Sequence, residues 1–77
     1  MVQAYMLIQT EVGMAAAVAE AVAEIDGVIR VDTVTGPYDV VVLTEAATVD
    51  HLGQAVVSRV QRVAGITRTL TCSILKI

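Results

Sequence analysis

The chain predicts an α+β fold: a four-stranded antiparallel sheet carrying two helices on one face, in the order βαββαβ. Three observations carry that expectation. Apolar residues alternate with a period of two in four stretches and recur with a helical period in two others. Those stretches follow one another as strand, helix, strand, twice over. The halves also match residue by residue: LIQTE at 7–11 aligns with VVLTE at 41–45, and GVIRVDTV at 27–34 aligns with GITRTLTC at 65–72. The first shift is 34 residues and the second 38, so the second helical region is four residues longer. Two βαβ units with right-handed crossovers interleave into one sheet, the ferredoxin-like arrangement, with the second and fourth strands at the edges.

The elements follow in order. Residues 2–9, VQAYMLIQ, read as a strand with apolar residues on both faces. Gly13 opens a helix from Met14 to about Ile25, with Met14, Val18, Ala21, Val22 and Ile25 on one face and Glu20 and Glu24 on the other. Asp26-Gly27 stops it. A second strand spans 28–35, a tight reversal falls at Gly36-Pro37, and a third strand spans 38–44. Thr48 is the expected N-cap of the second helix, with Val49, Leu52, Val56, Val60 and Val63 turned inward. Gly65 ends that helix, and residues 66–77 form the last strand.

The totals constrain what such a domain can do. Seventy-seven residues make one domain, and a chain of this size buries only about 60–65% of its extended surface. Yet 56% of the residues are hydrophobic, and Trp and Phe are absent. That is more apolar surface than two helices can cover. A membrane span does not explain it, because no uncharged apolar run approaches the roughly 18 residues required. The opening MVQAYMLIQTE also lacks the basic stretch and cleavage site of a secretion signal. Self-association is the better explanation. The central strands agree, since Val40 and Val42 alternate with Val41 and Leu43, and Ala4, Met6 and Ile8 with Tyr5 and Leu7. Strands apolar on both sides need cover on both sides. Helices cover one; a second subunit stacked sheet to sheet covers the other, leaving open edges for further assembly.

Several chemistries lack their residues. Net charge is −3, from 8 acidic and 5 basic residues, with no Lys/Arg patch or stacking aromatic pair, which argues against direct nucleic-acid binding. Cys72 is the lone cysteine, so no internal disulfide or paired-cysteine metal motif exists; its alternation with Leu70 and Ile74 reads as a buried structural thiol, and a reducing cytoplasm fits. His51, the lone histidine, sits beside Asp50 and reads as a solvated helix-face residue without a catalytic partner. An acylphosphatase-like enzyme on this scaffold would need an asparagine, and there is none. The chain is therefore read as no enzyme, with no metal or cofactor. Arg30 and Arg68 occupy equivalent positions on the edge strands, and Arg30 shares a face with Asp32. Edge protection and an intersubunit salt bridge both explain them. Thr67, Thr69, Thr71 and Ser73 place four hydroxyls along one side of the last strand, read either as β-propensity on a half-exposed face or as a polar wall for a small ligand.

Two motifs add a resemblance. Thr35-Gly36-Pro37-Tyr38-Asp39 leads into an apolar strand, and Ala64-Gly65-Ile66-Thr67-Arg68-Thr69-Leu70-Thr71 leads into the last one. Together at this spacing they resemble the effector-binding (RAM) domain of the Lrp/AsnC transcription regulators, with a T-G-x-Y-D turn and a p-G-V-x-x-T-x-T block. Pro37 and Ala64 depart from that pattern without changing its backbone logic. The resemblance covers essentially the whole chain and implies a single effector-binding and oligomerisation domain over 1–77. The helix-turn-helix domain that precedes this region in full-length members is not expected here. It implies homodimers assembling into an octamer or decamer, and an effector, usually an amino acid, bound in clefts between dimers. Carried over, Asp39 would accept hydrogen bonds from an ammonium, a charge-assisted contact of roughly 1.5–3 kcal/mol. Backbone groups near Gly36 would meet the ligand's polar end, Thr67, Thr69 and Thr71 would offer hydroxyls, and Tyr38 would form a wall. The plainer role for Asp39 is to cap turn amides of its own or a neighbouring chain. Mixed assembly with full-length regulators of the family is the implied route to transcription control. Two other classes stay open: a purely structural interaction module without ligand, and a small dimeric ferredoxin-like enzyme. An amino-acid-binding ACT-like domain is a structural rival, against which the Thr-Gly-x-Tyr-Asp turn weighs.

Overall fold

The computed structural model describes residues 1–75. Its elements are β1 (Val2–Thr10), α1 (Ala15–Ala23), β2 (Val28–Thr33), β3 (Val40–Ala46), α2 (residues 49–61) and β4 (Ile66–Ser73). The strands pair antiparallel in the order β2-β3-β1-β4, so β2 and β4 are the edges, as the duplicated βαβ pattern predicts. Residues 76 and 77, the end of the expected last strand, lie outside the described residues.

Alternation along the central strands builds the core. Ala4, Met6 and Ile8 of β1 and Val40 and Val42 of β3 are fully buried. They meet Val18 and Val22 of α1 and Val60 of α2, while Ala4, Ala46, Leu52 and Val56 form a smaller adjoining cluster. Burying each Val- or Ile-sized side chain contributes about 1.5–3 kcal/mol. Thr44, the one fully buried polar side chain among the described residues, donates its hydroxyl to the Ala4 carbonyl at 2.8 Å. Its desolvation is thereby compensated.

The duplication is visible in hydrogen bonds as well as in sequence. Glu11 N–H donates to the Gly65 carbonyl at 2.8 Å, and Glu45 N–H, its counterpart, donates to the Gly27 carbonyl at 2.8 Å. Gly27 and Gly65 each follow a helix with φ of +94° and +96°, in the left-handed region. A Cβ on Gly27 would lie 2.5 Å from Val56 Cγ2, and one on Gly65 would lie 2.9 Å from Met14 Cε. Each glycine thus ends one helix and seats the other. Both edge strands also carry a bulge: the register shifts past Ile29 in β2 and past Thr67 in β4, which are equivalent positions.

Four details depart from the sequence expectation. Ala21 is exposed on α1. Val49 is 70% exposed, because the first residue after the Thr48 cap points away from the sheet. The cap itself forms, with Thr48 Oγ1 accepting from His51 N–H at 3.1 Å. The strands flanking the reversal stop at Thr33 and restart at Val40, since the turn occupies 34–39 and closes through Val34 N–H to the Asp39 carbonyl at 2.9 Å. Cys72 is exposed rather than buried: it pairs with Tyr5 across β4 and β1 and shares the sheet face that no helix covers.

α2 has a further feature that its residue pattern does not announce. Val49–His51 and Ser58–Gln61 are α-helical, but Leu52–Val57 between them is π-helical, with Ser58 N–H reaching back to the Gly53 carbonyl. This wide turn falls in the half whose helical region is four residues longer.

Candidate functional site

The reversal between β2 and β3 is docked on the C-terminal end of β1. Gly36 adopts φ +148° with open space where a Cβ would stand, so glycine serves there for its backbone freedom alone. Asp39 N–H donates to the Ile8 carbonyl at 2.9 Å, and Gln9 Nε2 donates to the Pro37 carbonyl at 2.9 Å. The Asp39 carboxylate completes the clamp: its Oδ2 accepts from Thr10 N–H at 2.8 Å and, more weakly, from the Thr10 hydroxyl at 3.4 Å. Asp39 therefore caps an amide of its own chain. Its other oxygen, Oδ1, accepts from no protein donor among the described residues, and the residue is half-buried. A carboxylate held by one oxygen, with the second available, suits a cationic or N–H-rich ligand group. Tyr38, also half-buried, precedes it.

The other expected site residues divide. β4 starts on the opposite flank of the same β1 end, where Thr10 pairs with Ile66 and Thr67 occupies the bulge. Asp39 and Thr67 thus bracket Thr10 from two sides. Thr69 and Thr71 pair with Ile8 and Met6, whose side chains face the helices, so these hydroxyls line the helix side of the edge strand. Thr69 Oγ1 accepts from Gln61 Nε2 of α2 at 3.3 Å. Each two-residue step along β4 also moves about 6.6 Å from the turn. The bulge leaves Thr67 without a cross-strand partner on β1. Gln9 and Thr10, which fix the turn, carry no sequence signal beyond their equivalence to Leu43 and Thr44 in the repeat.

The helix-free sheet face presents Tyr5, Leu7, Val41, Leu43, Leu70 and Cys72 as one apolar strip. Tyr5 is 45% exposed and Leu70 39%. At its β2 edge Arg30 Nε and Asp32 Oδ2 pair at 2.8 Å, beside a shallow depression of about 170 Å³ lined by Tyr5, Arg30, Asp32, Val41 and Leu43. The pair is largely solvated, so it adds at most about 1 kcal/mol within one chain.

A ferredoxin-like sheet hosts many functions, so its relatives set the class: a ligand-binding domain of a transcription-regulator family. The chain belongs to the Lrp/AsnC ligand binding domain family, whose model matches residues 3–77. That family comprises ligand-binding domains of transcription regulators and not enzymes. Among solved structures, TTHA0845 from Thermus thermophilus has a TM-score of 0.90 at 34% identity, covering 100% of this chain and 96% of that one. A hypothetical protein from Pyrococcus horikoshii has a TM-score of 0.89 at 27% identity, covering 100% and 93%. An uncharacterized HTH-type transcriptional regulator of Pyrococcus furiosus is 33% identical over 54 residues, which are 70% of this chain and 36% of that protein. The chain thus matches about a third of that relative's length. AsnC of E. coli shares the fold, with a TM-score of 0.88 at 18% identity over 99% of this chain and 52% of that one.

Proposed function

We propose that the protein is an effector-sensing module that dimerises through its naked sheet face, assembles further into rings of four or five dimers, and binds a small effector, an amino acid, between dimers. The observation that carries this reading is the Asp39 carboxylate, anchored through Oδ2 by Thr10 at 2.8 Å while Oδ1 stays available. An amino acid's ammonium would take that oxygen, and the backbone around Gly36 would receive its carboxylate. Tyr38 and Thr67 would flank the ligand from one chain. Thr69 and Thr71 recede from the turn within a chain, so their share in a pocket would come from a neighbouring dimer. The module would act in the cytoplasm by mixed assembly with regulators of its family rather than by gripping DNA itself, in keeping with a net charge of −3.

The effector class has one pointer among proteins of this fold. A transcriptional regulator of Neisseria meningitidis, NMB0573, was solved as a complex with L-Met; it is 17% identical and shares the fold, with a TM-score of 0.82. L-methionine therefore belongs in the screen beside the other nineteen amino acids. A thermal-shift survey of wild type and Asp39→Ala at millimolar ligand tests the reading. At least one amino acid should raise the wild-type melting temperature by several degrees and leave the variant unmoved. At a concentration 100-fold above Kd, stabilisation would be about 2.7 kcal/mol. If no amino acid shifts the wild type, sensing fails, and a purely structural oligomerisation module becomes the better description.

A further inference from the structure

At the far end of the sheet from the turn lies a cavity of about 140 Å³, lined by Asp26, Gly27, Glu45, His51, Ala55, Val56 and Arg59. Three elements meet there: the α1–β2 turn, the end of β3, and α2. The floor is backbone. Gly27 packs against Val56, and the Glu45 carbonyl lies 3.0 Å from where a Gly27 Cβ would stand. The Glu45 N–H to Gly27 carbonyl bond of 2.8 Å locks these two segments together.

The wall from α2 depends on its π-helical segment. In an α-helix, residues eight apart lie about 80° apart around the axis. The wider turn at Leu52–Val57 rotates less per residue, which narrows the angle between His51 and Arg59. Ala55, midway between them, is small enough to leave a hollow. The cavity therefore sits where the second half departs from the first, at the helix four residues longer and wound differently. Such π-helical turns are frequently retained at functional sites.

The charges around the cavity are opposite but unpaired. The Asp26 carboxylate stands on one element and the Arg59 guanidinium on another, with His51 a further N–H donor on the same helix; all three are exposed. Yet the one ion pair among the described residues is Arg30 with Asp32 on the other sheet face. A carboxylate and a guanidinium that line one hollow without pairing to each other suit a guest that bears both signs. A cavity on the order of 150 Å³ holds a guest of about six non-hydrogen atoms.

We propose that this cavity is a binding site for a small zwitterion, its anionic group received by Arg59 and His51 and its cationic group by Asp26 and the Glu45 carbonyl. The site is contained within one chain and does not rest on the reading of the Asp39 turn.

Amide NMR of the full chain tests it, titrating with glycine and β-alanine and, as single-charge controls, acetate and methylammonium. Gly27 and Ala55 report this cavity, and Thr10 and Val40 report the turn, so the two sites are read separately. At least one zwitterion should give saturable shifts at Gly27 and Ala55 by about 50 mM, a concentration suited to millimolar Kd. Arg59→Gln should raise Kd about tenfold or more, and Ala55→Leu, which fills the hollow without touching a charge, should abolish the shifts. Both positions are solvent-accessible on a helix, so spectral dispersion should show both variants folded. The proposal is overturned by an absence of saturable shifts, by equal binding of either single-charge control, or by wild-type affinity in Ala55→Leu.

Discussion

Asp39 commits one carboxylate oxygen to its own chain and leaves the other without a protein donor among the described residues. Its Oδ2 satisfies the Thr10 N–H, a backbone donor at the end of β1, and this contact fixes where the rest of the carboxylate stands. Gly27 is constrained from two sides, by a φ of +94° and by Val56 Cγ2 at 2.5 Å from its would-be Cβ. Gly36 carries only the first kind of constraint, with nothing within 4 Å of its would-be Cβ. Gly27→Ala should therefore destabilise by about 2–4 kcal/mol, combining strain with overpacking, and Gly36→Ala by about 1 kcal/mol. Chemical denaturation of the two variants beside wild type checks the contrast. Equal losses would mean that the contact with Val56 relaxes freely.

At the scale of elements, the second helix is the part least like its counterpart. Its apolar spacing reads as an uninterrupted helix, and Leu52, Val56 and Val60 are indeed buried. The π-helical turn leaves that pattern intact because it redistributes rotation without moving those residues from the sheet. Gly53 lies within this turn, with open space around a would-be Cβ and no positive φ. Gly53→Ala should stabilise the fold by about 0.5–1 kcal/mol by restricting the unfolded chain and raising helix propensity. A rise in melting temperature of several degrees is the expected readout. A fall would indicate that the wide turn needs glycine's freedom.

At the scale of the whole molecule, the imbalance is between two sheet faces. One is sealed by both helices; the other leaves Tyr5, Leu7, Val41, Leu43 and Leu70 without cover from the same chain. Stacking this face on a second copy would bury apolar area worth about 25 cal/mol per Å² before association costs. Leu7→Asp puts a charge at the middle of the strip while leaving the helix-side core untouched. Light scattering after gel filtration should show wild type as a multimer and the variant as a smaller, still folded species. A wild type that elutes as a folded monomer at micromolar concentration would remove the basis for dimerisation through this face.

Much of this was legible in the residues because it follows from local periodicity and covalent limits. Alternation chose the strands, the duplicated segments set their order, and Thr48 and the glycines marked where helices begin and end. The Asp39 turn could be located in the same way, since glycine and proline at a reversal have local causes. What tertiary structure alone decided is which side of each strand meets which neighbour. It turned Cys72 and Leu70 outward together, sent Thr69 toward Gln61, gave Asp39 to Thr10, and wound the second helix wide over a hollow. Period-two alternation fixes that two faces differ but not which one the helices will cover, because that depends on contacts between residues distant in the chain.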